Sequence, residues 1–169
     1  GNPKPIGAQV GLGVKVSAVS TEFEQGELTA STGDFDFAIQ GNGFFMIEMP
    51  DGTTGYTRNG NFLMAINPNG GTTLTTADGY SVLDSNGKAI TFDAATDTTR
   101  LSFDNYGNIF YKNAQGVIQP TGVRIGAAQF NNPSGLTKLG DSYFAESAAS
   151  GNARIEGQDA ALSISVIKN

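Results

Sequence analysis

Acidic side chains are the residues of this chain whose types come nearest to a reaction centre. Glu22, Glu24 and Glu27 are clustered, and Asp34 and Asp36 stand two apart. Glycoside hydrolysis needs two such carboxyls on opposite walls of a cleft. Nothing in this spacing sets one acid across from another, and a solvated strand face is the plainer reading, because acids are mostly exposed. Asp84-Ser85-Asn86-Gly87 and Asp104-Asn105-Tyr106-Gly107 offer oxygen ligands in the manner of calcium loops. Both lack the alternating ligands and the distant bidentate acid that calcium needs, so their Asp, Asn and Gly content reads as turns. Gly11-Leu12-Gly13 and Gly41-Asn42-Gly43 have neither a third glycine heading a helix nor a Gly-Lys-Ser/Thr sequence, so they are not phosphate cradles. The chain has no histidine and no cysteine, which removes the commonest general base, the commonest transition-metal ligand and any thiolate or disulfide. Serine is plentiful but lacks an activating base or a Ser-x-x-Lys sequence. No catalytic residue, metal or cofactor is expected, and the chain does not read as an enzyme.

Arg58 stands out as a cation among the aromatics Tyr56 and Phe62. It has two readings, a subunit contact through ion pairing or stacking, or an internal brace at the end of a strand, which is what most strand arginines do. Phe35, Phe37, Phe44, Phe45 and Phe62 crowd into apolar runs and read as core rather than as a sugar-stacking platform.

The elements that must position these residues are short and apolar, with turns between them. Phe35–Ile39 and Phe44–Met49 are separated by Gly41-Asn42-Gly43, and Pro50-Asp51-Gly52 follows. Tyr56–Arg58 and Asn61–Met64 flank Asn59-Gly60, which predicts a two-residue hairpin with Thr57 facing Phe62 and Tyr56 facing Leu63. Val10, Leu12, Val14 and Val16 alternate with small or polar residues, the period of a half-buried strand. Glu22–Leu28 reads as extended, with a break at Gly26, and Gly1–Gly7 as a loose lead-in. Further on, Thr72–Thr76, Tyr80–Leu83, Lys88–Phe92, Leu101–Phe103, Asn108–Lys112, Val117–Gln119, Val123–Phe130, Leu136–Leu139, Tyr143–Ala145, Ala153–Ile155 and Leu162–Val166 read as strands between Asn/Asp/Gly turns. Asp93–Thr98 could hold one helical turn. A strand signal every ~8–12 residues, with no helical period, predicts an all-β antiparallel meander closing into a sandwich or barrel-like body with almost no helix. The strand at Val10–Val16 is expected to pair with the one ending at Ile167, so that both ends leave on one side.

The 169 residues suffice for a single β-rich core domain over 1–169. The net charge of −6 disfavours nucleic acid and anionic lipid as partners. No apolar run approaches the ~20 residues of a membrane helix. The chain starts at Gly1 without Met and shows no signal peptide, so it is expected to be a fragment.

Three strings carry a resemblance: DFAIQGNGFF from Asp36, YTRNGNF from Tyr56 and LTTADGY from Leu74. With FNNPSGL at Phe130–Leu136 and SAASG at Ser147–Gly151, they resemble the signature of the bacterial flagellar rod and hook protein family. Within it, GAQVGLGVKV at Gly7–Val16 and QGEL at Gln25–Leu28 are similar to the distal rod branch; the proximal rod and hook branches share much of the pattern. The matching residues are Gly41, Gly43, Phe44, Phe45, Tyr56, Thr57, Arg58, Gly60, Phe62, Asp78, Gly79 and Tyr80. The resemblance implies a structural subunit of the basal body, stacked helically into the shaft that carries motor torque to the hook. It implies copies of itself and neighbouring rod and hook proteins as partners, and export by the flagellar type III apparatus. Family members add long terminal helices that line the tube. This chain lacks them, so as an excised core it is expected to be largely monomeric. Contacts are expected at turn-rich ends, Asn67–Gly71 and Asn131–Gly135, through Asn67, Asn69, Asn131 and Asn132, besides Arg58. The competing reading is a secreted carbohydrate-binding or adhesin β-domain, which would display aromatics in a groove.

Overall fold

The computed structural model describes residues 35–169. The expected strand at Val10–Val16, its pairing with the last strand, the extended 22–28 stretch, the loose 1–7 lead-in, Asp34 and Gly11-Leu12-Gly13 lie outside the described residues. The strands are, in chain order, β1 (Asp36–Gln40), β2 (Phe44–Glu48), β3 (Thr54–Thr57), β4 (Gly60–Ile66), β5 (Thr72–Thr76), β6 (Thr91–Phe92) and β7 (Leu101–Phe103). They continue with β8 (Asn108–Lys112), β9 (Ile118–Arg124), β10 (Ala127–Gln129), β11 (Thr137–Gly140), β12 (Tyr143–Ala145), β13 (Arg154–Ile155) and β14 (Val166–Lys168). Among the described residues the helical content is two 3-10 turns, Thr98–Arg100 and Pro133–Gly135. The single turn expected at Asp93–Thr98 forms slightly later, because Asp97 caps it by accepting from the Thr99 N–H at 3.0 Å.

The strands make three curled sheets, β14-β1-β4-β5-β6, β11-β12-β3-β2-β10-β13 and β7-β8-β9, and every strand pair is antiparallel. This is the expected all-β body. Strand β2 is central in its sheet and apolar on both faces. Phe45 and Ile47 face the larger core with Phe37, Phe62, Leu74, Ile109 and Ile167, while Phe44 and Met46 face a second cluster with Tyr56, Phe130 and Phe144. Period-two alternation cannot describe a strand buried on both sides, which is why β2 reads as a continuous apolar run.

Six turns share one design. At Met49, Asn67, Thr76, Asp84, Asp104 and Asn113 the N–H bonds the carbonyl four residues on, and the glycine three residues on (Gly52, Gly70, Gly79, Gly87, Gly107, Gly116) returns a bond to the first residue's carbonyl. Each of these glycines has φ between 79° and 91°, the left-handed conformation that closes a three-residue hairpin loop. The two turns with a calcium-like composition belong to this set. Asp84 Oδ1 accepts from the N–H groups of Asn86 and Lys88 at 2.8 and 3.0 Å. Asp104 Oδ1 does the same for Tyr106 and Asn108, again at 2.8 and 3.0 Å.

The Asn59-Gly60 hairpin does not form. Strand β3 pairs with β2 and β12, and β4 pairs with β1 and β5. Thr57 faces Phe45 and Tyr56 faces Met46 and Phe144, whereas Phe62 faces Thr76 and Leu63 faces Thr75. Neither Asn59 nor Gly60 has positive φ. The glycine answers a different need. A Cβ on Gly60 would lie 2.1 Å from the Phe37 carbonyl oxygen, because β4 crosses β1 there at close range.

Two other expectations shift. The Val123–Phe130 run divides at Ile125-Gly126 into the end of β9 and the start of β10, which lie in different sheets. A Cβ on Gly126 would meet the Asp84 carbonyl oxygen at 2.6 Å, so the break is a backbone crossing. The last strand begins only at Val166. Its Ile167 sits between Ile39, its antiparallel partner, and Tyr106, a parallel bridge. Asn169 Nδ2 donates to the Asp36 carbonyl at 3.1 Å, so β1 starts where β14 ends.

Candidate functional site

The signature residues meet at one corner, where the chain leaves β3 for β4. Asn59 N–H donates to Thr57 Oγ1, and Asn61 N–H to Asn59 Oδ1, both at 3.0 Å. This local capping, rather than a hairpin, bends the chain and aims Arg58 at the loop between β1 and β2. The guanidinium donates to the carbonyls of Gly41 (2.9 Å) and Ile39 (3.2 Å) and, at close range, to that of Gly43. It also lies 5.7 Å from the centre of the Phe44 ring. Burial pulls its pKa down to about 10, with the Glu156 charge working the other way, so it remains a cation at neutral pH. The geometry is the internal brace.

Gly43 is held from its other side. Its N–H donates to Ser165 Oγ at 3.0 Å, and Ser165 Oγ donates to Glu156 Oε2 at 2.7 Å. Ser165 N–H donates to Glu156 Oε1 at 2.8 Å, and Gln129 Nε2 to Oε2 at 2.7 Å. Arg124 Nη2 stands 3.9 Å from Oε1. Glu156 is 0 % exposed, so a buried carboxylate ties β10, the stretch before β14 and the Gly41–Gly43 loop into one clasp. A Cβ on Gly43 would sit 2.7 Å from both Glu156 Oε2 and Ser165 Oγ, which explains the glycine.

Asp78, Gly79 and Tyr80 complete the corner. The Tyr143 hydroxyl donates to Asp78 Oδ2 at 2.7 Å and lies 2.9 Å from Thr76 Oγ1. The Tyr80 and Tyr143 rings are 5.4 Å apart. Burial, followed by the neighbouring Asp78 carboxylate and opposed by the Thr76 hydroxyl, pushes Tyr143 up to about 12. Burial, with Glu146 nearby, does the same to Tyr56. Phe37, Phe44, Phe45 and Phe62 are core, and Phe35 packs against it.

The two turn-rich ends lie apart from this corner and face solvent. Asn67 Oδ1 accepts from Thr73 Oγ1 and Asn69 Oδ1 from the Gly71 N–H, both at 3.1 Å. Ile66 beside them is 81 % exposed. Asn131 Oδ1 accepts from Arg154 Nη1, and Asn132 Nδ2 donates to the Ala149 carbonyl, both at 3.0 Å. These side chains brace their loops from within the subunit. Glu156, Ser165, Gln129 and Tyr143 carry no local sequence signal, because the clasp joins residues as much as 122 apart in the chain. Among the described residues no group of three acids forms a metal cluster, and no helix is long and apolar enough to cross a membrane.

A family model described as the flagellar hook protein FlgE/F/G D1 domain matches residues 38–111, the segment that holds the Arg58 corner. The flagellar basal-body rod protein FlgG of Bacillus subtilis is 40 % identical over 151 residues, covering 89 % of this chain and 54 % of that protein. FlgG of Caulobacter vibrioides is 40 % identical over 156 residues, covering 92 % and 55 %. The rod protein FlgF of the same organism is 32 % identical over 131 residues, covering 76 % and 47 %. The chain spans about half the length of the curated relatives it matches. With its signature corner inside the matched segment and its similarity continuing through the later sheets, the chain belongs to the flagellar rod and hook protein family.

Proposed function

We propose that the chain is the β-rich core of a structural subunit of the bacterial flagellar basal body, of the distal rod kind. The observation that carries the reading is the 40 % identity to rod proteins across about nine-tenths of the chain. The physical requirement agrees with it. A shaft under torque needs bodies that resist shear, and here three hydrogen-bonded sheets share one larger core. Head-to-tail contacts between such bodies repeat without closing and so build a helical assembly. Copies of itself and neighbouring rod and hook proteins are the partners, and the basal body is the location. Export follows the flagellar type III route, and 1–169 acts as one domain that is largely monomeric when excised. Asn67–Gly71 and Asn131–Gly135 are the proposed contact loops, and Arg58 serves the fold within the subunit.

The test is to delete residues 38–111 from the full-length gene and image the basal bodies. Rods that stop short of the hook, with loss of swimming, are the expected result; complete rods and hooks would sink the reading. Pro68→Lys and Ser134→Asp, both at exposed positions of these loops, should weaken swimming in the full-length protein while leaving thermal stability close to unchanged. Unaltered swimming would remove the two loops from the proposal. A proximal rod assignment has the FlgF similarity behind it, and rods that stop at an earlier stage would favour it.

A further inference from the structure

The Arg58 corner faces inward and leaves open which surfaces join one subunit to the next. A chain of net charge −6 repels its own copies, so a contact that sets one of its few available cations against an acid is favoured. Among the described residues, Arg58 is held by carbonyls, Arg124 lies against Glu156, Arg154 bonds Asp159 at 2.9 Å and Arg100 lies 3.7 Å from Asp97. Lys88, Lys112, Lys138 and Lys168 remain. Of these, Lys112 alone has an exposed large apolar cross-strand partner, Ile118, at 57 %, with Val117 beside it at 50 %. Lys138 faces the buried Phe144 and Lys168 faces Ala38. The free end of the β8–β9 hairpin therefore carries Lys112 beside two aliphatic side chains, with the Asp97-paired Arg100 bonded to the Lys112 and Asn113 carbonyls at 3.4 and 3.1 Å.

A surface of opposite character lies on another sheet. A groove of about 790 Å³ runs between the β2–β3 turn and the β11–β12 hairpin. Met49, Pro50, Tyr56 and Leu139 give it an apolar lining, and Asp51 and Glu146 supply its charge. Both acids are oriented. Asp51 Oδ1 accepts from the Thr53 N–H at 3.0 Å and Thr53 Oγ1 at 2.6 Å, and Glu146 Oε1 accepts from the Ala153 N–H at 3.1 Å. The Thr53 bonds hold the Asp51 carboxyl below the usual carboxylate range, so it is ionised at neutral pH. The volume lies within the roughly 300–1,000 Å³ of small-ligand pockets, room for two aliphatic side chains and a lysine stem.

We propose that this groove receives the Lys112–Val117–Ile118 hairpin end of a second copy of the chain. The inference rests on the reading of the chain as an axial building block. Groove and hairpin end share no residue and lie in different sheets, so the contact is heterologous and each copy keeps one free groove and one free end. A single contact of this size is weak, in keeping with a monomeric core, and gains force only when the rest of the full-length chain holds copies side by side.

The 169 residues contain no cysteine, so, with any cysteine elsewhere in the full-length protein replaced by serine, single-cysteine variants report the contact directly. Full-length Leu139→Cys and Val117→Cys proteins are mixed under assembly conditions and oxidised. Crossed disulfide dimers should exceed like–like dimers at least fivefold. Lys112→Glu in the Val117→Cys protein should remove that excess, and Glu146→Lys in the Leu139→Cys partner should restore it. Equal crossed and like–like yields, or an excess that ignores Lys112→Glu, would overturn the pairing. Ordered fibres without crossed dimers refute this contact and leave the rod reading standing. Crossed dimers from a protein whose deletion leaves complete rods would refute the rod reading instead.

Discussion

The Arg58 guanidinium reaches three carbonyls around the β1–β2 loop, of which those of Ile39 and Gly43 are partly buried, where water does not replace the donor easily. Arg58→Met keeps most of the side-chain volume and should still lower stability by about 1.5–3 kcal/mol, the range for hydrogen bonds to a charged group. Urea unfolding measures this, and a loss under 0.5 kcal/mol would show that the loop stands without its brace. Tyr56 and Tyr143, both raised to about 12 from 10.0, give a pH dependence. Each folded-state value lies above the unfolded one, so their contribution is complete below pH 10 and is lost as pH rises toward 12. Stability should fall across that window, and Tyr143→Phe should flatten the fall. An unchanged slope in Tyr143→Phe would count against a protonated, Asp78-bonded hydroxyl. At this scale the sequence was partly legible. Arg58 stands out among aromatics, but the sequence leaves a brace and a subunit contact both open, and it is the three carbonyls that favour the brace. Glu156 does not stand out, because its partners Ser165 and Gln129, and the Gly43 that Ser165 holds, come from three separate segments.

Turns and strand order are the element-scale result. The six glycine-closed turns could be read from composition, because each needs a left-handed residue and only glycine takes that conformation cheaply. Asn59-Gly60 has a hairpin's composition without its function. Its glycine permits the approach of β4 to the Phe37 carbonyl, a non-local cause that no window of sequence contains. The two kinds of glycine are separable by experiment. Gly87 has open space around its Cβ position and φ +79°, so Gly87→Ala should cost only the backbone strain of about 1–2 kcal/mol. Gly60→Ala drives a methyl into backbone and should cost about 3 kcal/mol or more. Urea midpoints of the two variants rank them, and the reverse order would mean that the β1–β4 crossing yields. The clasp makes a further element-scale prediction. Glu156→Gln replaces an acceptor by a donor against Ser165 and Gln129, and removing one partner of a buried charged set costs about 3–5 kcal/mol. Amide exchange should then quicken first at Val166–Lys168, the strand that the clasp ties down. Uniform quickening across all sheets would instead make the clasp part of the global core.

The whole molecule turns on β2, whose alternate residues serve two different clusters. Phe45 and Ile47 belong to the larger core and Phe44 and Met46 to the smaller, so neither cluster can come apart without disturbing the strand that completes the other. Close-packed interiors transmit such disturbance rather than absorb it. The all-β class was legible from strand spacing alone. The split into two clusters was not, because an apolar run buried on both faces looks the same whichever core its residues enter. The consequence is that the described sheets should unfold as one unit. The chain has no tryptophan, so two single-tryptophan variants can report each cluster separately: Phe130→Trp for the smaller, and Phe103→Trp, at the edge of the larger. Their urea midpoints, each compared with circular dichroism of the same variant, should coincide with it. A Phe130→Trp signal that moves ahead of the circular dichroism would mean that the smaller cluster melts alone, and that β2 joins the two cores in sequence without joining them in energy.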